Sequence, residues 1–292
     1  MMQARKIKYD IIGLTEIRRH RPLHDVFETG EELFLGTCDS RGVGGVGVLV
    51  NTHLAMNTDS YESLTIRIGR LRSRSMAQPH VQPSAYAPTS SYDEEELEAF
   101  YMDLEKLYRE DHTFLKVIVG DFNAKIGPRR TTEELHIGTH GVEWNEQGER
   151  LYEFIMSNHT IHGNSQFQLS FSIDMGSPGR QFHNEVDHTI VNRKFCLTDV
   201  AVVQMFYTGS DHRLLRARFR FSVRGESCEV QETKPQDCGQ LRSLRFIGEF
   251  VGRFRQRQHR RRIRPARRTS SRLHRASRKS QRGQETSLLE DS

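Results

Sequence analysis

Cysteine is scarce and scattered in this chain. There are four in 292 residues, Cys38, Cys196, Cys228 and Cys238, with no CxxC pair among them. That argues against a zinc site and against a disulfide framework. Long apolar runs are missing as well: no stretch approaches the ~20 residues a bilayer span requires. The opening MMQARKIKYDIIG has no apolar segment of signal-peptide length ahead of its charges. The expectation is an intracellular protein, nuclear or cytoplasmic and not secreted. Apolar residues make up 35% and charged residues 28% of the chain, a low apolar share for a globular protein. A polar segment joined to an ordinary domain would produce such an average.

The charge distribution supports that division. Residues 225–292 hold 17 Lys and Arg against 8 Asp and Glu, a net +9, whereas residues 1–224 hold 26 against 30. From Leu241 to Arg282 there are 16 basic residues and one acid, Glu249, and IGEFVGRF is the one apolar patch. The reading is a mildly acidic body over 1–223 and a basic, Arg-rich tail over 224–292, disordered or helical only on a partner. Arg260, Arg261, Arg262, Arg264, Arg267 and Arg268 are its candidate nucleic-acid contacts.

Within the body, YDIIGLTE (9–16) reads as a buried strand ending in an acid. RGVGGVGVLVN (41–51) is a Gly-rich turn leading into a strand. Residues 61–72 alternate weakly as a further strand, and RSRSMAQPHVQP (72–83), with two prolines, reads as loop. SAYAPTS (84–90) is extended. Ser91 and Glu94 have capping-box spacing, and Leu97, Phe100, Tyr101, Leu104, Leu107 and Tyr108 recur at helical spacing, predicting a helix over 92–110. A strand at 115–122, a helix at 146–158 with Leu151, Phe154 and Ile155, and strands at 185–192 and 213–221 follow. Strands and helices interleave, which indicates an α/β body.

Several motifs carry chemistry, and others do not. Gly42, Gly44 and Gly47 match G-x-G-x-x-G, but here the run opens a strand, not a helix, so it is a tight turn and not a dinucleotide site. His136 and His140 are four apart, yet Gly138 and Gly141 break any helix, so they are loop histidines. In VIVGDFNAKIG (117–127) alternation would set Asp121 and Asn123 on one face and bury Phe122. Glu16, Asp187 and the Asp211–His212 pair also fall at apolar-to-polar transitions. In α/β sheets ligands gather near strand ends. Carboxylates with one His and no Cys form a hard, oxygen-rich donor set suited to Mg²⁺ or Mn²⁺. Such a set fits attack on a phosphate, with Tyr86 as a further donor.

GLTEIRRH, RGVGGVGVLVN, SAYAPTS, VIVGDFNAKIG, NEVDHTIVNRKF and TGSDHRLLRARF, in this order, resemble the endonuclease/exonuclease/phosphatase superfamily. Within it the chain is similar to endonuclease domains of RTE/BovB-like non-LTR retrotransposons and the related craniofacial development protein 2-like sequences. The resemblance covers about residues 5–222. It implies a four-layer α/β/β/α sandwich of two mixed sheets flanked by helices, and a metal-dependent endonuclease acting on DNA. It also implies roles: Glu16 and Asp211 at the metal, Asp121 activating water, Asn123 holding water or phosphate, His212 stabilising phosphate charge with Asp187 behind it, and Tyr86 on the phosphate.

The departures are specific. The family begins with a strand carrying an Asn at the metal site, and this chain starts after it, so the fold is expected to lack its first strand and activity to be weakened or lost. MAQPHVQP stands where the family has an apolar strand, and Pro83 cannot donate to a central ladder. QLSFSIDMGSPGRQF lacks the family's Trp. Two rival readings follow: a non-catalytic nucleic-acid-binding relic acting through the basic tail, and a phosphatase of the same superfamily.

Overall fold

The computed structural model describes residues 7–73, 80–89, 92–113, 115–141, 143–168, 186–203, 212, 214–222 and 241–248. In chain order the strands are β1 (Ile11–Leu14), β2 (Leu23–Val26), β3 (Glu32–Leu35), β4 (Gly47–Val50), β5 (Thr58–Ser63), β6 (Gly69–Ser73), β7 (His80–Tyr86), β8 (Lys116–Asp121), β9 (Ile161–His162), β10 (Asp187–Val191), β11 (Leu197–Val203), β12 (Leu214–Ser222) and β13 (Leu241–Gly248). The helices are α1 (Thr52–Ala55), α2 (Glu94–Glu110), α3 (Glu146–Ser157) and α4 (Gly163–Gln166).

Two mixed sheets form the body. One has the order β11-β12-β13-β1-β4-β3-β2, the other β7-β8-β10-β9, and β5-β6 is a separate hairpin. Strand alternation sorts the core into layers. Ile11, Val48, Val50, Ala217 and Phe219 of the large sheet meet Val117, Val119 and Val191 of the small sheet between them. Ile118 and Ile190, on the opposite face of the small sheet, pack against Leu97, Phe100, Leu104, Leu151, Phe154 and Ile155 of α2 and α3. The outer face of the large sheet carries Ile12, Leu14, Leu33, Leu35 and Leu49, joined by Tyr9 and Ile17. The expected α/β class with two mixed sheets holds. Helices cover one side; among the described residues no helix covers the outer face of the large sheet, so the fourth layer is not seen.

The helices are built as their sequences predict, with one correction. The stripe of Leu97, Phe100, Tyr101, Leu104 and Leu107 is buried along α2. Its N-cap is Asp93, not Ser91, and Asp93 makes no side-chain cap bond; Ser91 lies outside the described residues. In α3, Asn145 caps the start by accepting the Gly148 N–H at 2.8 Å. The predicted weak strand over 61–72 is the β5-β6 hairpin.

Two further expectations are corrected. The proline-bearing stretch predicted as loop becomes strand from His80. β7 ends the small sheet's order, and its register with β8 shifts between Val81 and Ser84. A register shift on a terminal strand is where a proline such as Pro83 is tolerated. The second concerns the tail. Leu241–Gly248, expected to be disordered or helical only on a partner, is a strand inserted between β12 and β1 in the large sheet. β13 runs parallel to β1, with Ile11 opposite Phe246, and antiparallel to β12 over eight residue pairs from Leu215–Gly248 to Ser222–Leu241. The edge of β1 away from β4 is thus paired by the C-terminal region. The Arg260–Arg268 cluster lies outside the described residues.

A chain ending at residue 240 would lose β13 and leave the facing edges of β1 and β12 unpaired in mid-sheet, where buried N–H and C=O groups cannot find water. The expected result is loss of the cooperative thermal transition in near-UV circular dichroism. A chain ending at 253, the limit of the compact unit, keeps it.

Candidate active site

The residues singled out in VIVGDFNAKIG sit where β8 ends. Asp121 is the last residue of the strand and stands opposite Asp187, the first residue of antiparallel β10. On its other side the parallel β7 places Tyr86 opposite Asp121. Phe122 is fully buried, edge-on to Phe100 at 6.2 Å and to His188 at 6.1 Å. Gly120 is required by close packing: a Cβ there would lie 1.9 Å from the Ala85 carbonyl oxygen.

Asn123 leaves the alternation that the sequence suggests. It has φ 51°, in the left-handed region that Asn tolerates. Its N–H donates to Asp121 Oδ1 at 2.8 Å, and its Nδ2 donates to the Ala87 carbonyl at 3.0 Å. Asn123 therefore turns back on the acid it follows and ties the end of β8 to the segment after β7.

Glu16 comes from the other sheet, two residues beyond β1. It has φ 50°, and such backbone is uncommon for a Glu and recurs at functional sites. The neighbouring Ile17 N–H donates to Gly45 O at 2.7 Å. A Cβ on Gly45 would lie 2.2 Å from Ile17 O, so the Gly-rich turn is what lets the chain pass here. Ser84, buried, locks the sheets together at the same end. Its Oγ accepts the Leu14 N–H at 3.2 Å and donates to Gly47 O at 2.7 Å.

His212 completes the group. Its Nδ1 lies 3.3 Å from Asp187 Oδ2. One ligand atom each from Glu16, Asp121 and His212 lie within 4.8 Å of one another. Two carboxylates and an imidazole at that spacing fit a hard divalent cation. Asp211, expected at the metal, lies outside the described residues.

Electrostatics point the same way. Burial, and then the facing Asp187, push the Asp121 carboxyl up to about 8, against the opposing pull of His212 and the Asn123 N–H; Glu16 adds to the rise. Tyr86 is also raised, first by burial and then by the charges of Glu16 and Asp121. Negative charge is thus crowded into a dry space that a cation would relieve.

Some supporting residues give little signal in the sequence. Asn164, on α4, donates from Nδ2 to the Asp187 carbonyl at 2.8 Å and accepts the Thr189 N–H at 2.9 Å. His188 Nε2 donates to Ala124 O at 2.8 Å, and its Nδ1 faces His162 Nε2 at 2.8 Å. Burial lowers both imidazoles, His188 to about 4, so the pair is neutral and its tautomers are set by these bonds. The pair fixes the backbone just after Asn123. A cue was present in EVDHTIVN, where His188 follows a candidate acid at an inward-facing strand position. The loop assignment of His136 and His140 agrees with the structure, where neither lies in a helix. His136 Nδ1 sits 2.6 Å from Thr160 O.

Comparison with known proteins finds similar sequences and a similar fold. Craniofacial development protein 2 of Bos taurus is 26% identical over 246 residues, 76% of this chain and 38% of that protein. Craniofacial development protein 2 of Tragulus javanicus is 26% identical over 237 residues, 75% of this chain and 39% of that protein. The chain thus spans about two fifths of the length of the curated relatives it matches. The 3'-5' exonuclease NExo from Neisseria meningitidis superposes with a TM-score of 0.50 at 15% identity, over 72% of this chain and 89% of the exonuclease, which shows a common fold. An endonuclease/exonuclease/phosphatase family protein from Leptotrichia buccalis gives 0.45 at 13% identity, over 73% of this chain and 87% of that one. No protein-family model matches the chain.

Asp121 makes a signed prediction about stability. Its folded pKa lies above the ~3.9 of an unfolded Asp, so in chelator stability falls as pH rises from about 4 through 8. Asp121→Asn should melt above the parent chain at pH 8, with the gap closing toward pH 4. Melting curves in EDTA across that range check it; a constant gap contradicts it.

Proposed function

Taking the endonuclease/exonuclease/phosphatase fold of this chain as premise, we propose that it is a metal-dependent phosphodiesterase that hydrolyses DNA backbone bonds, derived from a retrotransposon endonuclease. The observation that carries this is the meeting of Glu16, Asp121 and His212 within 4.8 Å, with Asp187 on His212 Nδ1. The retrotransposon origin rests on the sequence resemblance described above.

Glu16 would hold the divalent ion, Mg²⁺ or Mn²⁺, with Asp211 expected beside it. When bound, the ion would neutralise charge on the phosphate and relieve the crowding of carboxylates. The chain's own residues divide the remaining work. Asn123 N–H occupies Asp121 Oδ1, leaving Oδ2 to take a proton from the attacking water. A carboxyl already pushed upward is a better base than an ordinary one once ionised. Asp187 would accept from His212 Nδ1–H and favour the doubly protonated ring, whose Nε2–H would then donate to a phosphoryl oxygen. Tyr86, beside Asp121 on β7, offers its hydroxyl to the same phosphate. Asn123, pinned to Ala87, keeps the two loops at a fixed separation.

The test is nicking of supercoiled plasmid by the purified chain. Mg²⁺-dependent conversion to open circle is expected, with none in EDTA. Asp121→Ala and His212→Ala should each lose at least about a hundredfold in rate. Folded protein that leaves plasmid intact in Mg²⁺ and Mn²⁺, or nicks equally well in both variants, contradicts the reading.

A further inference from the structure

Two arginines and a tyrosine stand beside the acidic centre and take no part in the chemistry above. Arg41 comes from the Gly-rich turn and Arg67 from the β5-β6 hairpin. The guanidinium carbon of each lies 4.7 Å from the Tyr92 ring centroid, and that of Arg67 lies 5.5 Å from the Tyr86 ring. One carboxylate bridges the two. Glu96 Oε1 is 3.6 Å from Arg41 Nη2, and Glu96 Oε2 is 3.9 Å from Arg67 Nη2. Both separations are too long for hydrogen bonds.

Arg67 is the unusual member. Its side chain is 9% exposed, and its buried Nη1 has no hydrogen-bond partner. A buried guanidinium with an unused donor is costly, and stacking on two rings offsets only part of that cost. The fold nevertheless holds it in place. Arg67 N–H donates to Thr65 Oγ1 at 3.1 Å, and its carbonyl accepts the Tyr86 N–H at 2.9 Å. Gly44, at φ 110°, gives the turn a backbone that other residues rarely adopt, and the turn passes within ordinary contact distance of the Arg67 stem. Arg67 is therefore anchored to the strand that carries Tyr86, and Tyr86 senses the charges of Glu16 and Asp121.

We propose that Arg41, Arg67 and Tyr92 form a subsite for a backbone phosphate of the nucleic-acid strand, next to the phosphate under attack, and that Glu96 occupies this subsite in the free protein. The inference rests on the phosphodiesterase reading. A planar carboxylate set between two guanidinium groups is a poor copy of a phosphate, whose oxygens reach the donors of both forks at hydrogen-bond distance. Glu96 is 44% exposed and sits in the first turn of α2, so it can swing into solvent without unpacking the helix. Asp39 Oδ2 accepts from Arg41 Nε at 3.1 Å, which keeps Arg41 oriented when Glu96 leaves. The subsite also answers an electrostatic need. The acidic centre repels a polyanion, and a cationic pair beside Tyr86 offsets that repulsion.

The test is binding of the full chain to a short fluorescein-labelled DNA duplex in EDTA, read by anisotropy over a salt series. The basic tail is present in every variant, so its contribution cancels. Arg67→Gln and Arg41→Gln should each weaken binding roughly tenfold and lower the slope of log K against log salt by about one. Glu96→Gln should tighten binding severalfold. A single neutral methylphosphonate walked along the strand should weaken the parent chain at one position next to the cleavage site and leave Arg67→Gln indifferent there. Arg41→Gln and Glu96→Gln are surface changes and decide the matter if Arg67→Gln melts early. The subsite is overturned if the folded variants bind as the parent does with the same slope, if the methylphosphonate effect survives in Arg67→Gln, or if the parent does not bind the duplex. Nicking assays on the same preparations separate this from the hydrolytic reading. A chain that shows the binding effects without nicking keeps the subsite and loses hydrolysis; one that nicks without them loses the subsite.

Discussion

Asp121 and Asp187 face each other across paired strands β8 and β10, and Glu16 reaches the same space from the other sheet. Three carboxylates in a mostly buried cleft repel one another and lose hydration, and either effect alone would favour scattering them. Holding them together is the constraint on which much of the neighbouring structure depends. Ser84 fastens the two sheets two residues short of Glu16. Asn164 fastens the backbone of Asp187, and His188 the backbone beyond Asn123. Phe122 fills the space beneath, sealed by Phe100 of α2. Ser84, Asn164 and His188 are buried with their side-chain polar atoms bonded, which ties down the backbone that carries the acids. That is the condition for fixed charges to act on a reaction without reorganising.

The large sheet depends on a distant part of the chain. β1, which leads to Glu16, is held on one side by β4 and on the other by β13. β13 follows β1 by more than two hundred residues, so the strand carrying a key acid is completed only when the C-terminal region docks. Contacts of such long sequence separation close late and slow folding. The region past residue 223 is therefore not one uniform basic arm. Its 241–248 stretch is part of the domain, and the strongly basic remainder lies beyond it.

Much of this was legible in the sequence because the signals were local. The 3.6-residue period from Leu97 to Leu107 and the apolar runs at β1, β8 and β10 are intrinsic to short windows. Glu16, Asp121, Asp187, His212 and Tyr86 stood out as polar residues at the ends of such runs. What was not legible depended on partners far away. LRSLRFIG is read as basic tail by its composition, and only the open edges of β1 and β12 make it a strand. Pro83 argues against a ladder until the strand is known to be terminal and bulged. Arg67 sits in a weakly alternating stretch among other arginines, and nothing nearby in sequence marks it as the one that is buried. Asn164 and Ser84 are ordinary strand or turn residues whose roles appear only with their hydrogen bonds.

The central claim is that Glu16, brought beside Asp121 and His212, holds one divalent ion. Titration of Mn²⁺ into the full chain at pH 7.5, followed by calorimetry with the free ion checked by electron paramagnetic resonance, tests it most directly. The account predicts one saturable site per chain, displaced by Mg²⁺ and lost in Glu16→Gln while the fold remains intact. A folded chain that takes up no Mn²⁺, or takes it up equally well in Glu16→Gln, would contradict it.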